Sequence, residues 1–290
     1  MKGIVLAGGT GSRLWPITIG LSKQLLPIYD KPMIYYPIST LMLAGIRDIL
    51  IITAEKDQSQ FKALLGDGSN FGISLVYEIQ EEPKGLAQAL TIGKEFLGGS
   101  ACLLILGDNI FHGAGLGQEL QRSIPTQGSH IFTYAVSNPE DYGVLTLSEN
   151  GTPIAIEEKP QNPKSNLAIT GLYYFDSHAS DYAAAISPSH RGELEITSVL
   201  QVYLNKEELT VTNLSRGTAW LDTGTVDSLQ NASTYIRVIE QRTGLKIGCL
   251  EEIALGMNWI SGSVLLENHS KYKNEYGKYL YSLIGEDFEK

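Results

Sequence analysis

The sequence predicts an α/β fold: a mixed, mainly parallel sheet flanked by helices, with a C-terminal helical extension. Three observations predict it. Short apolar runs alternate with helical patterns through the first half of the chain. Those runs are continuous in Ile, Leu and Val and do not alternate with polar residues, which is the pattern of strands covered on both faces. Beyond residue 137 a hairpin signal, Asn150-Gly151 between two apolar runs, interrupts the alternation and makes the sheet mixed.

In order along the chain, residues 4–6, 49–53, 74–79, 101–106 and 130–136 read as strands. Helical patterns fall between them at 33–44, 58–65, 86–97 and 116–123. Leu86, Ala89, Leu90, Gly93 and Leu97 share one stripe, so 86–97 is predicted as a single helix. The hairpin strands are 143–147 and 153–158, followed by a strand at 168–175 and helices at 181–186 and 195–204. A strand at 209–214 and a helix at 227–242 lead into a tyrosine-rich helical tail. There Tyr272, Tyr276, Tyr279, Leu280 and Leu283 are predicted on one face. With no repeat or long linker, the expectation is one core over 1–225, in halves of about 1–136 and 137–225, and a helical part over 226–290. Sheets of this kind bind ligands beyond the carboxyl ends of their strands, which points to the loops after Ala7, Ile79 and Leu106.

Composition narrows the chemistry. The 290 residues include 22 Lys plus Arg against 32 Asp plus Glu, a formal net charge of −10. That balance argues against nucleic-acid and anionic-membrane partners, which need basic surfaces, but a small anionic substrate needs only a few local cations. Two cysteines, Cys102 and Cys249, are too few for a disulfide scaffold and sit in apolar contexts, as reduced core thiols do. The five histidines (His112, His130, His178, His190, His269) lack metal-ligand spacing. The apolar run before Gly8-Gly9 is too short for a signal peptide. The uncharged stretch 32–46 is too short for a membrane span and is broken by Pro37. A cytoplasmic protein is expected.

The first predicted strand runs into Gly8-Gly9-Thr10-Gly11-Ser12-Arg13. A glycine-rich turn leaving a strand lets backbone N–H groups crowd around a phosphate chain. Two common phosphate loops fail here. A dinucleotide fingerprint starting at Gly9 needs glycine where Leu14 stands, and a P-loop needs a Gly-Lys-Ser/Thr sequence that is absent. What remains is a loop with its own cation, Arg13, and Lys23 further on; the guanidinium fork can grip phosphate oxygens in two places. By itself the segment also suits a plain strand-to-helix turn with surface charges.

Residues 3–16, from Gly3 through the glycine loop to Pro16, resemble the signature of the sugar-1-phosphate nucleotidylyltransferases. The longer block 22–37, beginning Ser22-Lys23-Gln24-Leu25-Leu26-Pro27, is similar to the thymidylyl-transferring branch of that family. The resemblance continues through 85–89, 106–109, 157–160, 191–197 and 220–225, and so spans nearly the whole chain. Departures are small: Thr10 and Ser12 exchange hydroxyl residues, Trp15 replaces a Tyr or His type, and Ser198-Val199-Leu200 differs after Ile196-Thr197.

The resemblance implies a Rossmann-like nucleotidyltransferase fold with a nucleotide half and a sugar-phosphate half. It implies attack of glucose 1-phosphate on the α-phosphorus of dTTP, giving dTDP-glucose and pyrophosphate, the first step of dTDP-rhamnose-type sugar synthesis. The attacking phosphate is already ionised, so the chemistry needs alignment and charge neutralisation by cations and Mg²⁺, with no general base. Asp108 and Asp222 are implied as the Mg²⁺ ligands. Arg13 is implied to stabilise transition-state charge and Lys23 to bind the pyrophosphate part or the α-phosphate. Gly8, Gly9 and Gly11 supply the loop backbone. Gln80 and Gly85 read the base, since a side-chain amide offers the donor and acceptor that thymine's imide edge needs; Gln24 adds a contact. Lys159 and Arg191 hold the sugar phosphate, Glu158 accepts from sugar hydroxyls, and Gly143 and Ile169 line the sugar pocket. A homotetramer is implied, with a second dTDP-sugar site near Lys246, Cys249, His112 and Gly115. Two alternatives stay open at this point. One is a sister enzyme using UTP, CTP or ATP, because thymine differs from uracil by one methyl, worth only about 1–3 kcal/mol. The other is a catalytically inactive nucleotide-sugar sensor.

Overall fold

The computed structural model describes residues 1–269 and 272–285. Its strands are β1 (Lys2–Ala7), β2 (Pro27–Ile28), β3 (Lys31–Pro32), β4 (Asp48–Thr53), β5 (Ser74–Ile79), β6 (Cys102–Leu106) and β7 (Asn109–His112). They continue with β8 (Ser129–Ala135), β9 (Gly143–Leu147), β10 (Pro153–Glu158), β11 (Leu167–Phe175), β12 (Leu209–Asn213) and β13 (Ala219–Asp222). The helices are α1 (Tyr35–Leu43), α2 (Gln58–Leu65), α3 (Gln88–Ile92), α4 (Lys94–Leu97), α5 (Leu116–Ser123) and α6 (Ala179–Ala185). After them come α7 (Ile196–Asn205), α8 (Val226–Thr243), α9 (Leu250–Gly256), α10 (Gly262–His269) and α11 (Glu275–Ser282).

Among the described residues nine strands form one sheet, in the order β10-β9-β11-β6-β1-β4-β5, with β8 on β11 and β12 on β8. The run β6-β1-β4-β5 is parallel, and β11 crosses over antiparallel to β6, β8 and β9. The continuous apolar strands are explained by cover on both faces. Val5, Ile49, Ile51, Leu103 and Ile105 pack with Ile38 and Leu41 of α1 and Leu250 of α9. Their chain neighbours Ile4, Leu6, Leu50, Ile52 and Leu104 pack with Leu90 of α3 and Leu200 of α7. Successive side chains of a strand point to opposite faces, so the inner positions of β1, β4 and β6 are buried on both sides, while the edge strand β5 is half exposed.

Three details differ from the sequence expectation. The helix predicted over 86–97 is two, α3 and α4, meeting at Gly93. A Cβ there would stand 2.8 Å from Ile4 Cδ1 and 3.4 Å from Leu50 Cδ2, so the glycine lets the chain lie directly on β1 and β4. The tail is not one helix: α11 starts at Glu275, capped by the Asn274 side chain accepting from Gly277 N–H, and Tyr272 precedes it. Leu280 is buried, and Tyr272, Tyr276, Tyr279 and Leu283 still pack against the core on the α1 side of the sheet. Finally, β7 and β13 form a two-stranded ladder that local patterning does not reveal.

Helix α8 opens with a capping box between Thr225 and Ser228 and stops at Gly244 in the left-handed conformation. Its Ala232 and Ile236 pack on Ile28, Met33, Tyr36 and Ile110, so the C-terminal helices are seated on the N-terminal half. No described helix is long and apolar enough to cross a membrane.

Candidate active site

A cleft of about 600 Å³ opens beyond the carboxyl ends of β1, β5 and β6, where the sequence placed the ligand loops. A recess of about 200 Å³ adjoins it through Gly9, Thr10, Arg13, Gln24 and Asp108. The loop after β1 forms the wall between them. Gly11 has φ 63°, a left-handed conformation open to glycine, and starts the short 3-10 turn Ser12–Leu14 that carries Arg13 into both spaces. Gly8 lies beneath the Gln80 side chain, with a Cβ there only 2.3 Å from Gln80 Oε1. The Arg13 guanidinium rests over Gly224, where a Cβ would stand 3.2 Å from Nη1 and 3.1 Å from Asp222 Oδ1.

At the floor Asp108 and Asp222 come together by tertiary pairing. Asp108 follows β6, and the β7–β13 ladder sets Asp222 opposite Asn109. Lys23, buried, pairs with Asp108 Oδ2 at 2.6 Å. Burial pushes the Asp108 carboxyl up, but the Lys23 ammonium and the Asn109 hydrogen bond together outweigh it and hold the group below its ordinary value. Asp222 moves the other way, raised by burial and then by the Asp108 charge, against the pull of Lys23 and Arg13. Two carboxylates in mutual repulsion, rich in oxygen donors, fit a divalent cation. Among the described residues no three acidic, His or Cys groups converge on a metal, so its other ligands fall to phosphate oxygens and water, as Mg²⁺ prefers.

Sequence reasoning missed the supports of this pair. The Asn109 side chain donates to Asp108 Oδ1 at 2.9 Å and accepts from Trp220 Nε1 at 2.6 Å and Gly171 N–H at 3.2 Å. The Thr223 hydroxyl donates to the Asp108 carbonyl at 2.8 Å. The one sequence signal was position, since Asn109 and Thr223 directly follow the two aspartates.

At the sugar end the structure brings together Gly143, Glu158, Lys159, Ile169 and Arg191, all lining the cleft. A side chain at Gly143 would be tight, with Thr197 Cγ2 3.0 Å and Glu158 Oε2 3.4 Å from a Cβ. Glu158 Oε2 accepts from the Thr197 hydroxyl at 3.0 Å, and burial raises its pKa. Arg191 is shared by Glu193, Glu195 and Glu158 at 3.1, 3.3 and 3.5 Å. Lys159 is exposed, has φ 44°, and makes no ion pair among the described residues. Thr197 and Glu195, both missed beforehand, sit in the 191–197 block.

The base end holds Gln80, Gly85 and Gln24. Gln80 is buried against the loop and donates to Gln88 Oε1 at 2.7 Å. Gly85 has φ 127°, and a Cβ there would stand 2.3 Å from Leu194 O, so it lets two backbones close. Gln24 Oε1 accepts from Ser22 Oγ at 2.9 Å. A separate cavity of about 470 Å³ is lined by His112, Gly115, Lys246 and Cys249, and shares no lining residue with the cleft.

The sequence matches the Nucleotidyl transferase family over residues 2–238. The chain belongs to that family. Nucleotidyl transferases generally use a divalent metal, in keeping with the paired aspartates. The chain is 54% identical to glucose-1-phosphate thymidylyltransferase of Neisseria meningitidis serogroup A, over 98% of this chain and 99% of that protein. A Bacillus anthracis protein crystallised with sucrose is 41% identical, covering 82% of this chain and 95% of its own, with a TM-score of 0.75. UDP-glucose pyrophosphorylase complexed with UDP-glucose is 25% identical, with 82% and 98% coverage and a TM-score of 0.72.

Proposed function

We propose that this nucleotidyl transferase joins dTTP and glucose 1-phosphate into dTDP-glucose, releasing pyrophosphate. The observation that carries the reading is one cleft with amides at one end, a carboxyl–hydroxyl pocket at the other, and cations beside paired aspartates between them. Asp108 and Asp222 would hold Mg²⁺, which when bound supplies charge neutralisation on the phosphates. Every other contribution belongs to the chain's own residues. Arg13 meets the charge that grows on the α- and β-phosphates, and its seat on Gly224 aims it there. Lys23 binds the α-phosphate or departing pyrophosphate, exchanging Asp108 for a phosphate oxygen. Lys159 and Arg191 hold the sugar phosphate in line for attack, and Glu158 accepts from the sugar hydroxyls, with Gly143 and Ile169 leaving the ring its space. Gly8, Gly9 and Gly11 bring the loop backbone against the phosphates, Gln80 and Gly85 face the base, and Gln24 stands between base and floor.

The product then enters dTDP-rhamnose-type sugar synthesis in the cytoplasm. The protein works as a homotetramer through residues 226–290, a reading supported by the exposed Val226, Val238 and Leu245. The cavity of Lys246 and Cys249 is its second dTDP-sugar site. Likeness to a UDP-glucose pyrophosphorylase keeps UTP in view as a weaker donor. The test is pyrophosphate release with glucose 1-phosphate and Mg²⁺, comparing dTTP, UTP, CTP and ATP. A dTTP preference abolished by EDTA is expected. Preference for another nucleotide moves the chain to a sister branch, and no release with any of them favours a sensor.

A further inference from the structure

The base end carries two amides in series, Gln80 just past β5 and Gln88 opening α3. The Lys84 backbone N–H reaches Glu82 O at 2.9 Å and donates to Gln88 Oε1 at 2.6 Å. A backbone N–H only donates, so the Gln88 atom facing it is the oxygen. That oxygen also lies 2.7 Å from the Gln80 amide, so the Gln80 atom facing it is Nε2. Turned over, Gln80 would set two carbonyl oxygens against each other in a part-buried setting. Its Oε1 therefore points away from Gln88, toward Gly8, and accepts no hydrogen bond among the described residues. The anchor itself is firm: Leu194 N–H donates to Lys84 O at 2.6 Å and Ala87 N–H to Leu194 O at 3.1 Å.

We propose that Gln88 is a specificity-determining residue: by holding the Gln80 amide in one orientation, it makes the site read an imide-edged pyrimidine and reject cytosine. The inference rests on the reading of Gln80 as the base contact. An unrestrained amide serves both edges. In one orientation it accepts from N3–H and donates to O4 of thymine or uracil; turned over, it donates to N3 and accepts from the 4-amino group of cytosine. Nε2 has two hydrogens, so donation to Gln88 leaves one for O4. The hydrogen bond to Gln88 removes the second orientation. It does not separate thymine from uracil, which share the edge.

The test compares dUTP with dCTP, which differ only at that edge. For the wild type, Gln88→Met, Gln88→Glu and Gln80→Met, kcat/KM is measured with both nucleotides, and binding of each without glucose 1-phosphate is a second readout. Gln88→Met is expected to lower the dUTP:dCTP ratio about tenfold, the worth of one orienting hydrogen bond, chiefly by admitting dCTP. Gln88→Glu, which still accepts from Lys84 and Gln80, is expected to keep the wild-type ratio. General loosening of the fold moves both nucleotides together and leaves the ratio alone. A ratio unchanged in Gln88→Met but collapsed in Gln80→Met overturns the orienting role and leaves Gln80 as the base contact. A ratio unmoved by Gln80→Met, or near one in the wild type, overturns both.

Discussion

At the floor of the cleft Lys23 and Asp108 meet at 2.6 Å with the lysine buried, whereas at the sugar end Arg191 spreads over three carboxylates at 3.1–3.5 Å and the exposed Lys159 makes no ion pair among the described residues. The floor is thus a close ion pair built on a buried lysine, where loss of the half-buried carboxylate strands the cation. The sugar end is a looser arrangement, in which one guanidinium shared among three carboxylates loses little on exchanging one of them for a phosphate. The first region ties catalysis to the integrity of the fold, and the second leaves binding free to reorganise.

That contrast can be broken in order of effect. Lys23→Ala is expected to abolish turnover and cost about 1–3 kcal/mol of stability by leaving the half-buried Asp108 without its cation, read by denaturant unfolding. Stability equal to wild type would mean that the floor is as loose as the rim. Arg13→Ala should lower kcat about 10²-fold with little change in unfolding, because Arg13 is exposed and acts on charge present only in the transition state. Unchanged turnover removes it from the mechanism. Arg191→Ala should raise KM for glucose 1-phosphate about tenfold while kcat and stability stay nearly constant. An equal fall in kcat would place Arg191 with the floor instead.

The smallest effect concerns pH. Burial raises the Glu158 pKa above the ordinary carboxylate value, so the folded state binds its proton more readily than the unfolded chain. In the window from 4.5 up to the folded value, this group's contribution to stability falls as pH rises, and at neutral pH it is unfavourable. Glu158→Gln should therefore be slightly more stable at pH 7, lose that gain as pH falls toward 4.5, and bind glucose 1-phosphate less well. Urea unfolding at several pH values checks it, and a gain independent of pH would assign the effect to packing.

Much of this was legible in the chain. Continuous apolar runs announce strands covered on both faces, and the loops after Ala7, Ile79 and Leu106 do open on the cleft. Arg13 and Asp108 could be singled out because each follows such a strand. Gln88 could not, since nothing local distinguishes it from a surface amide opening a helix. Nor could the break at Gly93, which depends on how near Ile4 and Leu50 come.

By itself, then, the sequence determined most of the main-sheet strands and their covering helices, which loops carry charge, and which family the chain joins, because periodicity and short motifs are local properties of the chain. Only the tertiary structure decided that Asp222 stands across from Asn109, that Lys23 neutralises Asp108, and that a backbone N–H at Lys84 orients Gln80 through Gln88. The first two join residues far apart in sequence. The third turns on which end of an amide faces its neighbour. Each is settled by the requirement that buried donors, acceptors and charges find partners once the core has closed.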